Sequence, residues 1–284
     1  MSYILILNIR FVNRGQYTLM KLPIDSLIRN RQGRFVQAKP LVSVVVAVFN
    51  GARTLQKCID SVVAQSYQNI ELVIIDGASS DTTVKILERN TSHIAYWESQ
   101  KDRGIAHAWN KALQYVTGDW VLFLGADDRL HDINVLSDLA EILSKDVEND
   151  LVYGQIIFNG GPAHGQVYGA NSDLRNLKRK MVIPHTAAFQ RRTYFDEVGP
   201  FDETFKIASD YEVLLRKKPL SARFVNRRIA VTGGEGVSSR LVKKVFWEWR
   251  MAQLKNRVNW RAKIEIWHVL YQLRHRLNLW CKKN

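Results

Sequence analysis

Residues 42–49 read VSVVVAVF, an almost unbroken run of apolar, mainly β-branched side chains. Such a run is typical of a strand that is buried on both faces of a parallel sheet. Residues 70–76 (IELVIID) and 120–124 (WVLFL) have the same character, and residues 94–97 form a shorter candidate strand. These stretches predict four strands of one sheet.

The segments between these strands show helical periodicity. Apolar side chains recur every three or four residues over 55–63, 84–87 and 105–116. Strands that alternate with helices across short loops predict a doubly wound α/β domain with a mostly parallel sheet. Beyond residue 150 the pattern is less regular, and the candidate elements are strands at 151–158, 186–189 and 223–231 and a short helix at 210–216.

Polar side chains follow three of the predicted strands where each strand ends. They are Asn50, Asp76 and the adjacent pair Asp127 and Asp128. Ligands of such sheets bind at the carboxyl ends of the strands. Neighbouring carboxylates repel each other, and hard divalent cations bind one or two carboxylates together with phosphate oxygens. The pair alone is more typical of a helix cap, but the convergence of three loops favours a nucleotide and metal site.

The net charge of +14 is concentrated at the two ends of the 284-residue chain. Residues 1–39 carry seven basic residues and one acidic residue, and residues 240–284 carry twelve and two. The remaining residues, 40–239, carry 22 basic and 24 acidic residues and are therefore nearly neutral. Since no recognition module is visible either, we expect no nucleic-acid partner.

The cysteine content and the lack of long apolar runs indicate the compartment. Cys58 and Cys281, the two cysteines, rule out a disulfide framework and a cysteine-rich zinc site, and they fit a reducing compartment. No apolar run approaches the roughly 18–20 residues that span a bilayer. The first residues lack the pattern of a secretory signal. We expect a cytoplasmic protein.

Residues 40–130 resemble the family 2 glycosyltransferases with the GT-A fold. The matching stretches are PLVSVVVAVFNGARTLQKCIDSVVAQSYQNIELVIIDGASSDTT and ESQKDRGIAHAWNKALQYVTGDWVLFLGADD. Further on, GPFDETFKIASDYEVLLR resembles the segment that carries the catalytic base of this family. The resemblance implies a GT-A catalytic domain over 40–239, with a nucleotide-binding half at 40–130 and an acceptor half at 131–239.

The same resemblance implies roles for individual residues. Asp128 would bind Mg²⁺ or Mn²⁺, and Asp210 would be the general base. The nucleotide sugar would be bound by a larger set: Val48, Asn50, Asp76, Asp102, Gly104, Asn110, Lys111 and Asp127. His185 would contact the diphosphate or the metal, or else have a structural role. The chain departs from the family pattern where acids are frequent, at Gly77, Gly125 and Ser209.

The activity implied is an inverting, metal-dependent transfer of sugar from an NDP-sugar, in particular a UDP-sugar. The acceptor would be a hydroxyl of a polysaccharide or of a lipid-linked glycan. One alternative is a nucleotidyltransferase on a similar sheet, which the absence of a G-x-G-x-x-G fingerprint disfavours. The other is a non-catalytic module that binds nucleotide sugars, which the presence of both Asp128 and Asp210 disfavours.

The segment 240–284 predicts a basic amphipathic helical tail. It contains five of the eight tryptophans together with its twelve basic residues. This composition suits the surface of an anionic membrane, so we expect a peripheral protein on the inner face of the membrane. The alternative is a helix that packs on the catalytic domain. Residues 1–39 lie outside the resemblance and are interpreted as an N-terminal extension that is not part of the catalytic fold.

Overall fold

The protein is built around one mixed nine-stranded sheet. A computed structural model describes residues 7–12, 16–21, 27–29, 35–37, 39–170, 173–233 and 241–281. The strands are β1 (Leu7–Val12), β2 (Gln16–Lys21), β3 (Leu27–Arg29), β4 (Phe35–Gln37), β5 (Val42–Val48), β6 (Ile70–Asp76), β7 (Tyr96–Ser99), β8 (Trp120–Gly125), β9 (Arg129–Leu130), β10 (Leu151–Phe158), β11 (Val167–Tyr168), β12 (Ala188–Arg191) and β13 (Ala222–Thr232). The helices are α1 (Leu55–Val63), α2 (Thr83–Arg89), α3 (Ile105–Leu113), α4 (Val135–Lys145), α5 (Arg192–Val198), α6 (Ser209–Leu214), α7 (Val242–Lys255) and α8 (Arg261–Cys281).

Four neighbouring strands, in the order β7-β6-β5-β8, form the parallel part of the sheet. Val48 of β5 pairs with Asp76 of β6, and Ala47 pairs with Gly125 of β8. The three strands therefore end almost level, which brings the loops that follow them side by side. The predicted convergence of these loops at one edge is confirmed.

The uniformly apolar strand β5 is explained by helices on both faces of the sheet. Val44 and Val46 pack in one core with Leu55 and Ile59 of α1, among others. Val45 points to the other core, which includes Trp109 of α3. Because both faces are covered, alternation of apolar and polar side chains is absent from this strand.

The second part of the sheet contains antiparallel strands. β12 pairs antiparallel with β8 and with β10, and β13 pairs parallel with β10 and antiparallel with β9. β10 and β13 lie close to their predicted bounds. The strand predicted at 186–189 begins at Ala188 instead, because residues 185–187 form a single 3-10 turn.

The C-terminal tail forms the two helices α7 and α8, and part of it packs on the catalytic domain. Ala252 of α7 and Ile264 of α8 are completely or almost completely buried in the core that contains α6. The packing alternative is therefore correct for one side of the tail. No helix in the described ranges is both long and apolar enough to cross a bilayer.

The N-terminal strands pair separately from the main sheet. β1 pairs with β2, and β3 pairs with β4, each in an antiparallel two-stranded sheet. Within the described ranges, neither pair joins the nine-stranded sheet. The interpretation of residues 1–39 as an extension stays a prediction.

Candidate active site

The adjacent carboxylates Asp127 and Asp128 lie in the tight turn after β8. Asp127 is exposed, whereas Asp128 is only 5% exposed. One carboxylate oxygen of Asp128, Oδ2, accepts a hydrogen bond from the Gly125 N–H at 2.8 Å, and the hydroxyl of Thr232 also bonds to this carboxylate. The chain then continues into β9, not into a helix. The interpretation of this pair as a helix cap is therefore wrong.

The other oxygen of Asp128 is suited to bind a cation. Oδ1 is buried and has no hydrogen-bond partner among the described residues. Burial, and to a smaller extent the charge of Asp127, raise the pKa of Asp128 to about 7. A buried carboxylate next to a second one is unstable as an anion, and a hard cation would relieve both effects. The residues present therefore fit Mg²⁺ or Mn²⁺.

The protein alone supplies few ligands for such a cation. In the described part of the chain, no group of three or more His, Cys, Asp or Glu side chains could hold a metal. Mg²⁺ and its relatives commonly take their remaining ligands from water and substrate phosphates. We therefore expect binding of the cation to depend on the donor diphosphate.

A side chain at Gly125 would require the carboxylates of Asp127 and Asp128 to shift. A Cβ atom there would lie 2.9 Å from Asp127 Oδ1 and 2.9 Å from Asp128 Oδ2. Real Cβ atoms essentially never approach other atoms this closely. The departure from the family pattern at this position therefore matches the local packing.

Asp76 and Asn50 join the loops after β5 and β6. Asp76 is fully buried, and its carboxylate accepts hydrogen bonds from the N–H and the hydroxyl of Ser79 and from the hydroxyl of Ser99. The hydroxyl of Ser79 also accepts a bond from the Asn50 N–H at 2.6 Å, and Asn50 Oδ1 accepts one from the Ser80 N–H. A nucleotide contact by Asp76 would therefore replace or share one of its serine bonds.

Asp102 occupies the space next to Gly77. A Cβ atom on Gly77 would lie 2.6 Å from Asp102 Oδ2, so the carboxylate of Asp102 takes the place of a side chain there. The other oxygen of Asp102 accepts a hydrogen bond from the Gly104 N–H at 2.8 Å. Gly104 has a φ of 123°, a conformation that favours glycine, and it begins α3. The predicted residues Asp102 and Gly104 thus lie beside the end of β6.

Asn110 and Lys111 of α3 have partners within the protein. Asn110 exchanges two hydrogen bonds with the backbone of Phe201 and donates a third to Glu203. Lys111 forms an ion pair with Glu98 of β7 at 2.5 Å, and both side chains are mostly buried. Asn110 therefore fastens the nucleotide half to the loop that precedes α6, and both N–H donors of its amide are used there.

Asp210 lies on the short helix α6, in the acceptor half. Its carboxylate is half-buried and accepts a hydrogen bond from the Tyr211 N–H at 2.8 Å. Burial raises the pKa of Asp210 to about 6, against the opposing effect of the backbone bonds, and the charge of Glu248 contributes to the rise. A carboxylate with this pKa is ionised at pH 7 and is more basic than an ordinary aspartate, as a general base requires.

His185 is packed among aromatic rings. Its imidazole is stacked on Phe123, with ring centroids 5.1 Å apart, and it also contacts Trp109 and Phe201. Burial lowers the pKa of His185 to about 3, so the ring is neutral at pH 7. Its Nε2 is buried without a hydrogen-bond partner among the described residues. The contact of His185 with diphosphate or metal stays a prediction.

Two residues at or near the site were not predicted from the sequence. The apolar character of Phe49 predicted that it would lie inside a buried strand. It instead follows Val48, the last residue of β5, and most of its side chain is exposed to solvent. Glu248 of α7 contacts the loop before α6. The sequence signal for Glu248 was weak, although it is one of only two acids in a strongly basic tail.

The matched part of the chain is similar to known glycosyltransferases. The profile described as Glycosyl transferase family 2 matches residues 43–220. A PGL/p-HBAD biosynthesis glycosyltransferase of Mycobacterium bovis (strain BCG / Pasteur 1173P2) is 31% identical over 216 residues, covering 74% of this chain and 83% of the relative. An uncharacterized glycosyltransferase of Mycobacterium tuberculosis (strain CDC 1551 / Oshkosh) is 32% identical over 214 residues, covering 68% and 76%.

Solved structures show the same fold at low sequence identity. S. aureus TarS 1-349 in complex with UDP-GlcNAc matches with a TM-score of 0.62 and 19% identity, covering 83% of this chain and 72% of that chain. The mannosyltransferase PcManGT from Pyrobaculum calidifontis, in complex with GDP-Man and Mn²⁺, matches with a TM-score of 0.56 and 20% identity, covering 83% and 65%. These likenesses confirm the GT-A type of α/β fold.

Proposed function

Since the chain belongs to glycosyl transferase family 2, and is therefore a glycosyltransferase that uses a nucleotide sugar, we propose that it is an inverting, metal-dependent enzyme. Its donor is an NDP-sugar, with UDP as the expected nucleotide. The observation that carries the proposal is the buried, unpartnered oxygen of Asp128 beside the carboxylate of Asp127. This arrangement is costly in an empty protein and favourable around a cation.

The roles of the two carboxylates differ. Asp128 would hold the cation, which when bound neutralises charge on the leaving nucleoside diphosphate. Asp127, which is exposed in the same turn, would bind the ribose side of the donor, in line with the family resemblance. The raised pKa of Asp128 favours this division, because burial and the charge of Asp127 disfavour its anionic form more than the bonds from Gly125 and Thr232 stabilise it.

Asp210 would perform the proton chemistry. Its carboxylate accepts the proton of the acceptor hydroxyl while the hydroxyl oxygen forms a bond to the anomeric carbon. The bond from that carbon to the diphosphate oxygen breaks in the same displacement, and the diphosphate leaves with the electron pair. A single displacement inverts the anomeric centre.

The relatives support the choice of donor and acceptor class. TarS is known in complex with UDP and with UDP-GlcNAc, and PcManGT with GDP-Man and Mn²⁺. The relative from Mycobacterium bovis is named for PGL/p-HBAD biosynthesis. For this chain we propose a UDP-sugar as donor and, as acceptor, a hydroxyl of a polysaccharide or of a lipid-linked glycan.

The deciding experiment measures nucleotide release from UDP-GlcNAc, UDP-glucose, UDP-galactose and GDP-mannose, with and without Mg²⁺ or Mn²⁺. We expect cation-dependent hydrolysis of at least one UDP-sugar and its loss in Asp128→Asn. Asp138→Asn is the matched control, since Asp138 is an exposed carboxylate whose partner Arg227 also binds Asp132. Donor binding without hydrolysis or transfer would instead identify a non-catalytic module.

We further propose that the tail binds an anionic membrane surface, which would make the enzyme peripheral on the inner face of the membrane. Four apolar side chains form an exposed stripe on α8, at the spacing of one helix face: Ile266, Val269, Leu270 and Leu273. Trp260, just before α8, is 84% exposed, and Trp247 of α7 is half-exposed. Exposed tryptophans together with basic side chains are typical of interfacial anchors.

Co-sedimentation with vesicles tests the membrane proposal. We expect the chain to bind vesicles that contain phosphatidylglycerol and not vesicles of phosphatidylcholine alone. Replacing Ile266 and Leu270 by Ser should abolish binding, whereas Ile133→Ser, a change at an equally exposed residue remote from the tail, should not. Binding that is unaffected by the double substitution would exclude α8 as the anchor.

A further inference from the structure

The tail contributes a buried acid to the region around Asp210. Glu248 of α7 is only 2% exposed. Its Oε2 accepts hydrogen bonds from the N–H groups of Ile207 at 2.8 Å and Ala208 at 2.9 Å, and its Oε1 accepts one from Lys206 at 3.2 Å. Burying a carboxylate is costly unless donors compensate, and here three consecutive backbone donors do so.

Further buried bonds connect α7 to the residues on both sides of Asp210. Gln253 donates to the hydroxyl of Tyr211 at 2.9 Å, and that hydroxyl donates to the carbonyl of Leu177 at 2.7 Å. Asn256, directly after α7, donates to Glu212. α7 and the residue directly after it therefore bind Ala208, which lies two residues before Asp210, and also Tyr211 and Glu212, which follow Asp210.

The helix that carries Asp210 depends on such contacts. α6 has only six residues, and isolated helices of this length are unstable in water. Its first residues have no side-chain cap from their own segment. The N–H groups just before the helix are instead bound by the Glu248 carboxylate, which lies 40 to 42 residues further along the chain.

We propose that Glu248 is a positioning residue for the general base, so that the tail helix α7 is part of the catalytic apparatus and not only an appendage. This inference rests on the proposed role of Asp210. Glu248 acts through the backbone of residues 206–208, which sets where α6 begins and therefore where the Asp210 carboxylate lies.

Glu248 also affects Asp210 electrostatically. Among the described residues, the ionisable groups on neighbouring elements that interact with Asp210 are Glu248 of α7 and Tyr168 of β11. Tyr168 is neutral at pH 7, as any tyrosine with an ordinary pKa is, and its own pKa is raised further, to about 12. The negative charge of Glu248 raises the pKa of Asp210. Removing this charge therefore lowers the pKa of Asp210 and moves the acidic limb of the pH profile to lower pH.

The test compares Glu248→Gln with Glu265→Gln in the full chain. Glu265 pairs with Arg250 between α7 and α8 and does not contact α6, so it provides a matched substitution in the same tail. The probe is Mn²⁺-dependent hydrolysis of whichever of UDP-GlcNAc, UDP-glucose, UDP-galactose and GDP-mannose the unsubstituted chain cleaves. For Glu248→Gln we expect kcat to fall about tenfold to a hundredfold, as for a misplaced catalytic group.

Three readouts distinguish positioning from general stability. With Glu248→Gln, the KM for the donor should change less than kcat, and the acidic limb should shift to lower pH. Glu248→Asp keeps the charge and should restore the original limb, even if kcat is only partly recovered. The proposal is overturned if the acidic limb of the pH profile does not shift in Glu248→Gln. It is also overturned if this limb shifts equally in Glu248→Asp and Glu248→Gln.

Asp210→Asn separates failure of this inference from failure of the proposed function. If Asp210→Asn is inactive while Glu248→Gln behaves like Glu265→Gln, the base assignment stands and the positioning role is refuted. If Asp210→Asn keeps the activity and pH profile of the unsubstituted chain, Asp210 is not the base. In that case the proposed role of Asp210 as general base is wrong, and the positioning role of Glu248, which depends on it, is wrong as well.

Discussion

The nucleotide half and the acceptor half hold their candidate site residues in different ways. In the nucleotide half, Asn50, Asp76 and the pair Asp127 and Asp128 lie at or just after the ends of adjacent parallel strands, whose register makes them level. In the acceptor half, Asp210 lies on a six-residue helix that α7 holds in place. Strand pairing positions one set, and contacts between distant segments position the other.

Besides the shared sheet and core, polar contacts join the two halves next to the candidate base. Arg103, next to Asp102, forms an ion pair with Glu203 at 2.6 Å, and Asn110 bonds to Phe201 and Glu203. Lys206 donates to the carbonyl of Arg103 at 3.1 Å. The loop that leads to the candidate base is therefore attached to the loop that begins α3 in the nucleotide half.

Replacing the candidate base should have the largest effect, and it should lower kcat without changing the binding of the donor. Asp210→Asn is expected to lower kcat by about 10²–10⁴-fold, the usual contribution of general base catalysis. Donor affinity should be unchanged, because the predicted donor contacts lie in the other half. Steady-state kinetics combined with calorimetric titration of the UDP-sugar measure both quantities. Asp196→Asn, at an exposed acid on α5, is the control.

Removing a buried acid from the nucleotide half should reduce stability instead. Glu71 accepts hydrogen bonds from the Ser43 hydroxyl, the N–H and hydroxyl of Thr117, and the Gly118 N–H. Each buried donor left unpaired costs about 1–3 kcal/mol, so Glu71→Ala should lower the free energy of unfolding by about 3 kcal/mol or more. Urea denaturation followed by circular dichroism measures this. A loss below about 1 kcal/mol would contradict the assigned network.

The pH dependence should report Asp210. Its pKa is raised to about 6, so below that pH the carboxyl is increasingly protonated and cannot accept a proton. With the donor and the cation saturating, so that the titration of free Asp128 does not contribute, we expect kcat to fall about tenfold per pH unit below about pH 6. A carboxyl whose pKa is higher in the folded than in the unfolded chain stabilises the fold as pH falls through that window. The titration of Asp210 therefore does not cause acid unfolding, and thermal unfolding at each pH provides the control.

The smallest expected effect concerns Phe49. Its exposed ring lies between Val48 and Asn50 at the nucleotide edge and offers a surface on which a base can stack. Stacking of a base on an aromatic side chain contributes about 1–3 kcal/mol, so Phe49→Ala should raise the Kd for UDP about fivefold or more. Phe49→Tyr should bind normally. Equal affinity of Phe49→Ala and the unsubstituted chain would exclude stacking.

Prediction from the sequence succeeded where a local pattern has one structural meaning. The short, β-branched run over residues 42–48 favours a strand covered on both faces, and the polar residues after such parallel strands are expected at one edge. It was less accurate for β12, where the predicted strand at 186–189 begins at Ala188, and for Phe49. Apolar character alone does not indicate whether the last side chain of a strand is covered.

The sequence by itself determined the α/β fold, the mostly parallel pairing of the central strands and the edge at which the nucleotide half presents its carboxylates, because short-range periodicity and turn residues encode them. Only the tertiary structure decided that Asp128 is buried while Asp127 is exposed. It also decided that Asp102 fills the space beside Gly77, and that Glu248 of the tail binds the segment before Asp210. These features depend on contacts between residues that are distant in the chain, and no local pattern specifies which of them will meet.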